Sequence, residues 1–329
     1  MGKTKQVKNV EREEREIIDS HSHIGYDRFM SHRADLGEYA EMATRKGISG
    51  AIMIPQVCPC YSDGDGRSFL PSFWEKDGDR VRVYSGYEVD EEIVDRGPVR
   101  ENPFAEYNGL MKKEIDDMGI SGRFSDLKLY FAPLVHPIKD TAGQLEKILE
   151  SNPTAVKVHG TSWMFNPKEI DPEFFRKLAR SDTPLIIHTD YHQNPQNEFE
   201  YNQRNQDPLV WAKLCEKYGV RASLAHGARL CKETWDIVRN SDQFVVGAGP
   251  VLNMKGPRVK GSGGEYLPTL AGMADPRKLT YDIDYPANTR LEEPGELDWN
   301  FDKELLKYFS KEELQDVYSG NAKRFFQLD

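Results

Sequence analysis

The sequence lacks several features that would assign it to whole classes of protein. It has no run approaching the roughly 20 apolar residues of a membrane-spanning helix, and residues 1–16 are polar and charged, without the apolar core of a signal peptide. Only four of the 329 residues are cysteine, which fits a reducing compartment better than a disulfide framework. We therefore expect a cytoplasmic protein in a reducing compartment, with 1–16 as a charged N-terminal lead-in.

Positive charge is also scarce. The chain has 44 Lys and Arg against 54 Asp and Glu, and its formal net charge is −10. This balance argues against nucleic acid or an anionic membrane surface as a partner. A small-molecule substrate is the better expectation.

What the sequence does contain is a regular alternation of short apolar runs with amphipathic segments. Eight runs have strand character: 17–23, 49–55, 127–135, 154–159, 184–188, 220–226, 244–248 and 279–284. Repeated strand–helix alternation predicts parallel strands with right-handed crossovers, so we predict a single (β/α)8 TIM barrel domain over 17–329. A doubly wound open sheet is the alternative, but no GxGxxG or Walker motif follows any run.

Two segments stand outside this alternation. Residues 56–125 form a long insertion after the second strand, with an apolar piece at 81–87 and helical spacing over 103–118. Insertions at this position of a barrel commonly cover the substrate, so we expect a pocket wall, with a solvated surface excursion as the other interpretation. Residues 302–326 predict a helical C-terminal tail.

Histidine is concentrated at the ends of the predicted strands. His21 and His23 close the first strand, and their imidazoles project to the same side because side chains alternate. Alone, this pair fits either half of a site for a divalent metal or two surface histidines. Six of the eight histidines, with Asp284, occupy such ends: His21, His23, His136, His159, His188 and His226. Since barrel enzymes hold their chemistry at the carboxyl ends of the strands, we expect these groups to converge.

Several motifs follow one another in a familiar order: IDSHSH at 18–23, VKVH at 156–159, PLIIH at 184–188, AHG at 225–227, DYP at 284–286 and GNAKRF at 320–325. With these motifs the chain resembles the amidohydrolase superfamily, in its amidohydrolase-related (amidohydrolase 2) branch of metal-dependent hydrolases and decarboxylases. The motifs span nearly the whole chain.

The resemblance implies a catalytic metal centre. It implies that His21, His23 and His188 bind a divalent metal, zinc first, with manganese or iron as alternatives. Asp284 is implied as a further ligand or proton-transfer group, and His226 as the second catalytic residue. One ion is expected, and a second ion stays open.

Lys157 and His159 each allow two interpretations. Part of the superfamily bridges two metals with a carbamylated lysine, whereas Lys157 lies one layer deeper than the strand-end His159 and can instead be a structural lysine buried on Asp19 or Asp282. His159 is a candidate metal ligand or substrate contact, or a packing residue. The same choice applies to the other histidines within reach, His136 and His192, where we favour packing.

The loops after the strands suggest a substrate wall. Trp163, Tyr191 and Arg204 lie in such loops, and aromatic rings with one cation suit a small carboxylated or aromatic substrate. A Gly-rich segment at 256–264 is either a mobile gate or a surface loop.

The expected reaction is hydrolysis of an amide-like or ester-like bond by activated water. A non-oxidative decarboxylase of a small carboxylic acid uses the same ligands and is the alternative. A dinuclear iron or manganese oxygenase and an inactive scaffold subunit are further alternatives. We expect a homo-oligomer, such as a dimer, or a complex with a related subunit.

Overall fold

The computed structural model describes residues 15–28, 31–77, 80–160, 162–189, 205–249, 266–286, 305 and 307–329. The strands are β1 (Ile17–Asp27), β2 (His32–Ala34), β3 (Ile48–Pro55), β4 (Tyr61–Ser62), β5 (Ser68–Asp77), β6 (Arg80–Val89), β7 (Glu92–Pro98), β8 (Lys128–Phe131), β9 (Val156–Val158), β10 (Leu185–Ile187), β11 (Ala222–Leu224), β12 (Phe244–Gly247) and β13 (Leu279–Thr280). The α-helices are α1 (Leu36–Lys46), α2 (Ala105–Ser121), α3 (Ala142–Glu150), α4 (Pro172–Ser181), α5 (Pro208–Tyr218), α6 (Lys232–Arg239), α7 (Tyr266–Met273), α8 (Lys311–Gln315) and α9 (Asn321–Phe326).

The fold is α/β and is organised around two sheets of mainly parallel strands. One sheet has the order β2-β1-β3-β8, in which β1, β3 and β8 are parallel and β2 is an antiparallel edge. The other has the order β13-β12-β11-β10-β9 and is parallel throughout. The strands of the second sheet are short runs that are buried throughout, as expected when helices cover the outer face, whereas β8 in the first sheet is only partly buried. Each of the eight runs predicted from the sequence overlaps one of these parallel strands. The prediction that His21 and His23 close the first strand is wrong, because β1 pairs onward with β2 and continues to Asp27.

Backbone hydrogen bonds join the two sheets along both margins. At one margin, Val135 N–H donates to the Lys157 carbonyl at 2.9 Å, and Lys157 N–H donates to Pro133 at 2.9 Å. At the other, Ser20 N–H donates to Tyr281 at 2.8 Å. These bonds run between β9 and the chain that follows β8, and between β1 and the chain that follows β13.

Along the chain, β3 and α2 are separated by a four-stranded antiparallel sheet with the strand order β4-β5-β6-β7. The apolar piece at 81–87 forms most of β6, and the helix expected over 103–118 is α2. The preceding segment, which reads as irregular because of its Pro, Gly and Ser, instead contains β4 and β5. Cys60 before β4, Leu70 and Phe73 on β5, and Tyr84 on β6 form a small apolar core of their own.

The C-terminal tail is helical over 311–326, where α8 passes through a π-helical turn, Asp316–Gly320, into α9. Ser310 begins it with a capping box to Glu313. The tail packs beneath β13, since Tyr281 N–H donates to the Val317 carbonyl at 2.9 Å. Residues 302–304 of the predicted tail lie outside the described residues. Across the described chain, every helix is too short or too polar to cross a membrane.

Candidate active site

Three side chains expected to bind a metal lie together at the carboxyl end of the parallel strands. His21 and His23 on β1 and Asp284 after β13 are buried, and each offers a ligand atom within 4.8 Å of the others. Nε2 of His21 is 3.2 Å from Nε2 of His23, and Asp284 Oδ1 is 3.5 Å from Nε2 of His23. Two imidazole nitrogens and a carboxylate oxygen facing one point are the donor set of a divalent transition metal. We call these three residues the ligand group.

The backbone around the ligand group fixes how its members point. His23 Nδ1 lies 3.3 Å from the Pro55 carbonyl oxygen, so the proton belongs on Nδ1 and the lone pair of Nε2 faces the group. Asp284 has a left-handed backbone with φ of 56°, and its N–H donates to the His21 carbonyl at 2.8 Å. Strained backbone of this kind is concentrated at functional sites.

The protonation states also suit a cation. Burial, and then the charges of Lys157 and the neighbouring histidines, hold the pKa of His21 well below 6.5, so its imidazole is neutral at neutral pH. Burial would raise the pKa of Asp284, but the hydrogen bond with His23 and the nearby positive charges outweigh it and lower that pKa. A neutral imidazole and an ionised carboxylate are the forms that coordinate metals.

Asp19 holds the two strands of the ligand group together. Its carboxylate is fully buried and accepts hydrogen bonds from Ser22 Oγ at 2.5 Å and Tyr39 Oη at 2.7 Å. It also accepts from the backbone N–H of Ile283 at 3.0 Å and of His21 at 3.2 Å. Burial raises the pKa of Asp19, and these four donors oppose that rise. The carboxylate therefore links the strand of His21 to the residue that precedes Asp284.

Lys157 borders the ligand group directly. Its Nζ lies 3.0 Å from Nε2 of His21 and is completely buried. Burial lowers the pKa of Lys157 to about 7, although Asp284 and Asp282 act in the opposite direction. The strand parity that predicted an inward side chain is therefore right, and the amine contacts a histidine nitrogen of the ligand group.

A second set of histidines lies next to the first. His188 Nδ1 is 3.1 Å from His226 Nε2, and the His159 ring stacks on His188 with centroids 4.0 Å apart. The His226 and His21 ring centroids are 5.6 Å apart, so His226 connects the two sets. His188, predicted as the third histidine ligand, lies beside His226 and outside the ligand group. Its role as a ligand stays a prediction.

His226 begins a segment that sequence reasoning missed. His226–Leu230 are five consecutive residues with φ between 48° and 61°. Left-handed backbone costs roughly 1–2 kcal/mol for each residue that carries a Cβ, and Gly227 is the only glycine here. Trp235 Nε1 supports the turn by donating to the Gly227 carbonyl at 3.2 Å. The single glycine gave too weak a signal to predict the whole turn.

His136 belongs to an aromatic cluster. Its ring stacks against Trp163 at 5.6 Å and Phe104 at 6.3 Å, and its Nδ1 accepts from Ile138 N–H at 3.3 Å. Trp163, expected as a substrate contact, is 1% exposed and donates its indole N–H to the Val57 carbonyl at 2.8 Å. This cluster would have to open before a substrate could touch Trp163. A substrate role for this residue stays a prediction.

The remaining expectations concern residues outside the described ranges, and they stay predictions. They are the substrate contacts through Tyr191 and Arg204, the packing of His192 and the gate at 256–264.

Comparison with known proteins finds solved structures with a similar fold. No family model matches the sequence, and no curated protein matches it significantly. A dihydroorotase from Campylobacter jejuni shares 12% identity, with 95% of this chain and 83% of that chain covered and a TM-score of 0.55. A D-hydantoinase from Thermus sp. shares 15% identity over 94% of this chain and 70% of that chain, with a TM-score of 0.52.

An amidohydrolase from Burkholderia multivorans, solved with bound zinc, is similar as well. It shares 12% identity over 95% of this chain and 99% of that chain, with a TM-score of 0.50. At identities this low, the similarity shows a shared fold and nothing further. The structures that resemble this chain thus include members of the amidohydrolase superfamily, and the resemblance seen in its motifs is confirmed at the level of the fold.

Proposed function

We propose that this protein is a metal-dependent hydrolase that cleaves an amide-like or ester-like bond in a small molecule. The buried ligand group of His21, His23 and Asp284, with its nitrogen and oxygen atoms within 4.8 Å, carries the proposal. The fold shared with a dihydroorotase and a D-hydantoinase supports it.

We further propose that the eight parallel strands close into a (β/α)8 barrel over 17–329. The hydrogen bonds at both margins of the two sheets support closure, because they continue the strand order from β8 to β9 and from β13 to β1. In such a barrel the ligand group lies at the carboxyl ends of the strands, where the loops form the substrate pocket. The antiparallel sheet β4-β5-β6-β7 would then form one wall of that pocket.

The ligand group would hold the cation, zinc by preference, and His188 would complete it. A bound divalent cation polarises a substrate carbonyl and lowers the pKa of water to about 7. In the tautomer with a proton on Nδ1 of His188, that nitrogen donates to Nε2 of His226. This tautomer leaves the lone pair of His188 Nε2 for coordination and places an N–H on Nδ1 of His226.

The side chains then divide the acid–base work. Asp284 is ionised and accepts the proton of the attacking water, which it later delivers to the leaving group. His226 donates a hydrogen bond from Nδ1 to the oxygen on which negative charge develops. Burial of both groups excludes competing water and strengthens these interactions.

The test combines metal analysis with a substrate panel. The purified protein is stripped with a chelator, reloaded with zinc, manganese or iron, and assayed on cyclic amides, lactones, linear amides and small carboxylic acids. We expect about one equivalent of metal and hydrolysis that returns with reloading. Release of carbon dioxide without hydrolysis would assign the decarboxylase instead. Two equivalents of iron with oxygen consumption would assign the oxygenase, and full activity in the stripped protein would refute a metal enzyme.

A further inference from the structure

Two hydrogen bonds link the chain after β10 to the chain after β11, on either side of the contact between His188 and His226. The Thr189 hydroxyl donates to the carbonyl oxygen of Ala225. Arg229 Nε donates to the carbonyl oxygen of Thr189. Since Thr189 follows His188 and Ala225 precedes His226, the two bonds tie together the backbones that carry the histidine pair. We call them the Thr189–Arg229 clasp.

The clasp contacts a turn whose backbone conformation is not stable by itself. His226–Leu230 are left-handed, a conformation that every residue with a Cβ disfavours, so tertiary contacts must maintain it. Arg229 is the turn residue whose side chain reaches across to the neighbouring strand end. Its Nη2 also donates to Gln206 Oε1 at 3.2 Å, at the start of the chain that leads into α5. A planar guanidinium can make both bonds at once, because its N–H groups form a fixed fork.

We propose that Arg229 is a positioning residue. Through Thr189 and Gln206 it fixes the left-handed turn and so keeps His226 Nε2 within hydrogen-bond distance of His188 Nδ1. This inference rests on the proposed function in giving His226 a catalytic role. The geometric part, that Arg229 sets the position of the His226 ring, stands independently of the reaction.

The test replaces Arg229 and follows both turnover and the His226 ring. We expect R229A to lower kcat on the order of 100-fold, the loss that a displacement of about 1 Å produces, while KM changes little. R229K should recover part of kcat, because its amine can still reach the Thr189 carbonyl. In 15N-labelled protein the imidazole signals of His226, assigned with H226N, should shift in R229A.

Arg239 provides the matched control. Like Arg229 it donates to a backbone carbonyl, that of Met273 at 2.7 Å, but it lies on the exposed side of α6. R239A should leave kcat and the His226 signals at wild-type values. T189V, which removes the hydroxyl bond to Ala225 and little else, should repeat the R229A effects in milder form. If R229A does not fold, R229K decides the question for Arg229, because T189V leaves in place the Thr189 carbonyl to which Arg229 donates.

The outcomes separate this inference from the proposed function. Wild-type kcat or unshifted His226 signals in both R229A and T189V would overturn the positioning role, even in an active hydrolase. If the wild-type protein hydrolyses nothing, the proposed function fails, and the His226 signals alone decide the inference.

Discussion

His136 should make the stability of the protein depend on pH, and replacing it should remove that dependence. Its ring is 3% exposed and stacked in the aromatic cluster. Burial, with a contribution from the Lys139 charge, lowers the pKa of His136 from 6.5 to about 3. The folded state therefore keeps this imidazole neutral, whereas the unfolded chain protonates it below 6.5. The stability it contributes is complete above pH 6.5 and is lost as pH falls toward 3.

The size of the effect follows from that pKa difference. Integrating the proton uptake gives a loss of about 2 kcal/mol between pH 7 and pH 5, and about 3 kcal/mol by pH 4. H136N is the appropriate variant, because the asparagine side-chain oxygen can replace Nδ1 as acceptor for the Ile138 N–H and does not titrate. The variant loses ring stacking and so has a lower stability at every pH. The prediction concerns how steeply the free energy of unfolding changes with pH in the two proteins.

Urea denaturation of both proteins between pH 4 and pH 8 measures this difference. Other titrating groups, including the nearby Asp140, are common to the two proteins and cancel when their curves are subtracted. The subtracted curve should be flat above pH 7 and should change by about 2 kcal/mol by pH 5. Parallel curves for H136N and the wild type would refute the argument that burial keeps the proton off His136.

Three further predictions follow from the same contacts. Alanine at His23 should abolish metal retention after gel filtration, whereas H136N should retain metal, as measured by elemental analysis; equal metal content would remove His23 from the ligand group. Burial raises the pKa of Asp140 to about 7. The folded state therefore loses stability relative to the unfolded chain as pH rises from 3.8 through 7. D140N should be more stable than the wild type by about 1–2 kcal/mol at pH 8 but not at pH 4. Y39F removes the hydroxyl bond to buried Asp19 and should lower the free energy of unfolding by about 1.5–3 kcal/mol; a change below about 0.3 kcal/mol would mean that the other three donors compensate.

Most of the parallel strands were predictable because they are short apolar runs that are buried, as in β9 to β13. Alternation along β1 also placed His21 and His23 on one side, and the order of the strands brought Asp284 to them. What the pattern did not show is where the strands end, since β1 continues past His23 to Asp27 and others stop early. β10 stops at Ile187 and β13 at Thr280, so the functional residues that follow belong to turns whose shape depends on tertiary contacts.

Other parts of the site could not be predicted for a related reason. The stacking of His159 on His188 and the 3.0 Å approach of Lys157 to His21 depend on side-chain rotamers in a packed interior. The left-handed turn after β11 contradicts the preferences of four of its five residues, so local sequence argues against it. Of the antiparallel sheet, only the apolar piece in β6 was predicted, because β4 has two residues, β5 is interrupted by Pro71 and Ser72, and β7 alternates exposed with half-buried residues.

The ligand group has a consequence for how the protein is made. Asp284 reaches His21 and His23 only through pairing between strands about 260 residues apart, as its neighbours Tyr285 and Ser22 show with a separation of 263. A ribosome adds roughly 5–20 residues each second, so the two histidines spend tens of seconds in a nascent chain without their carboxylate. Until residue 284 has left the exit tunnel, the growing polypeptide can offer a cation only part of its coordination. Under the proposed function, complete coordination of the cation would therefore wait until residue 284 has been made.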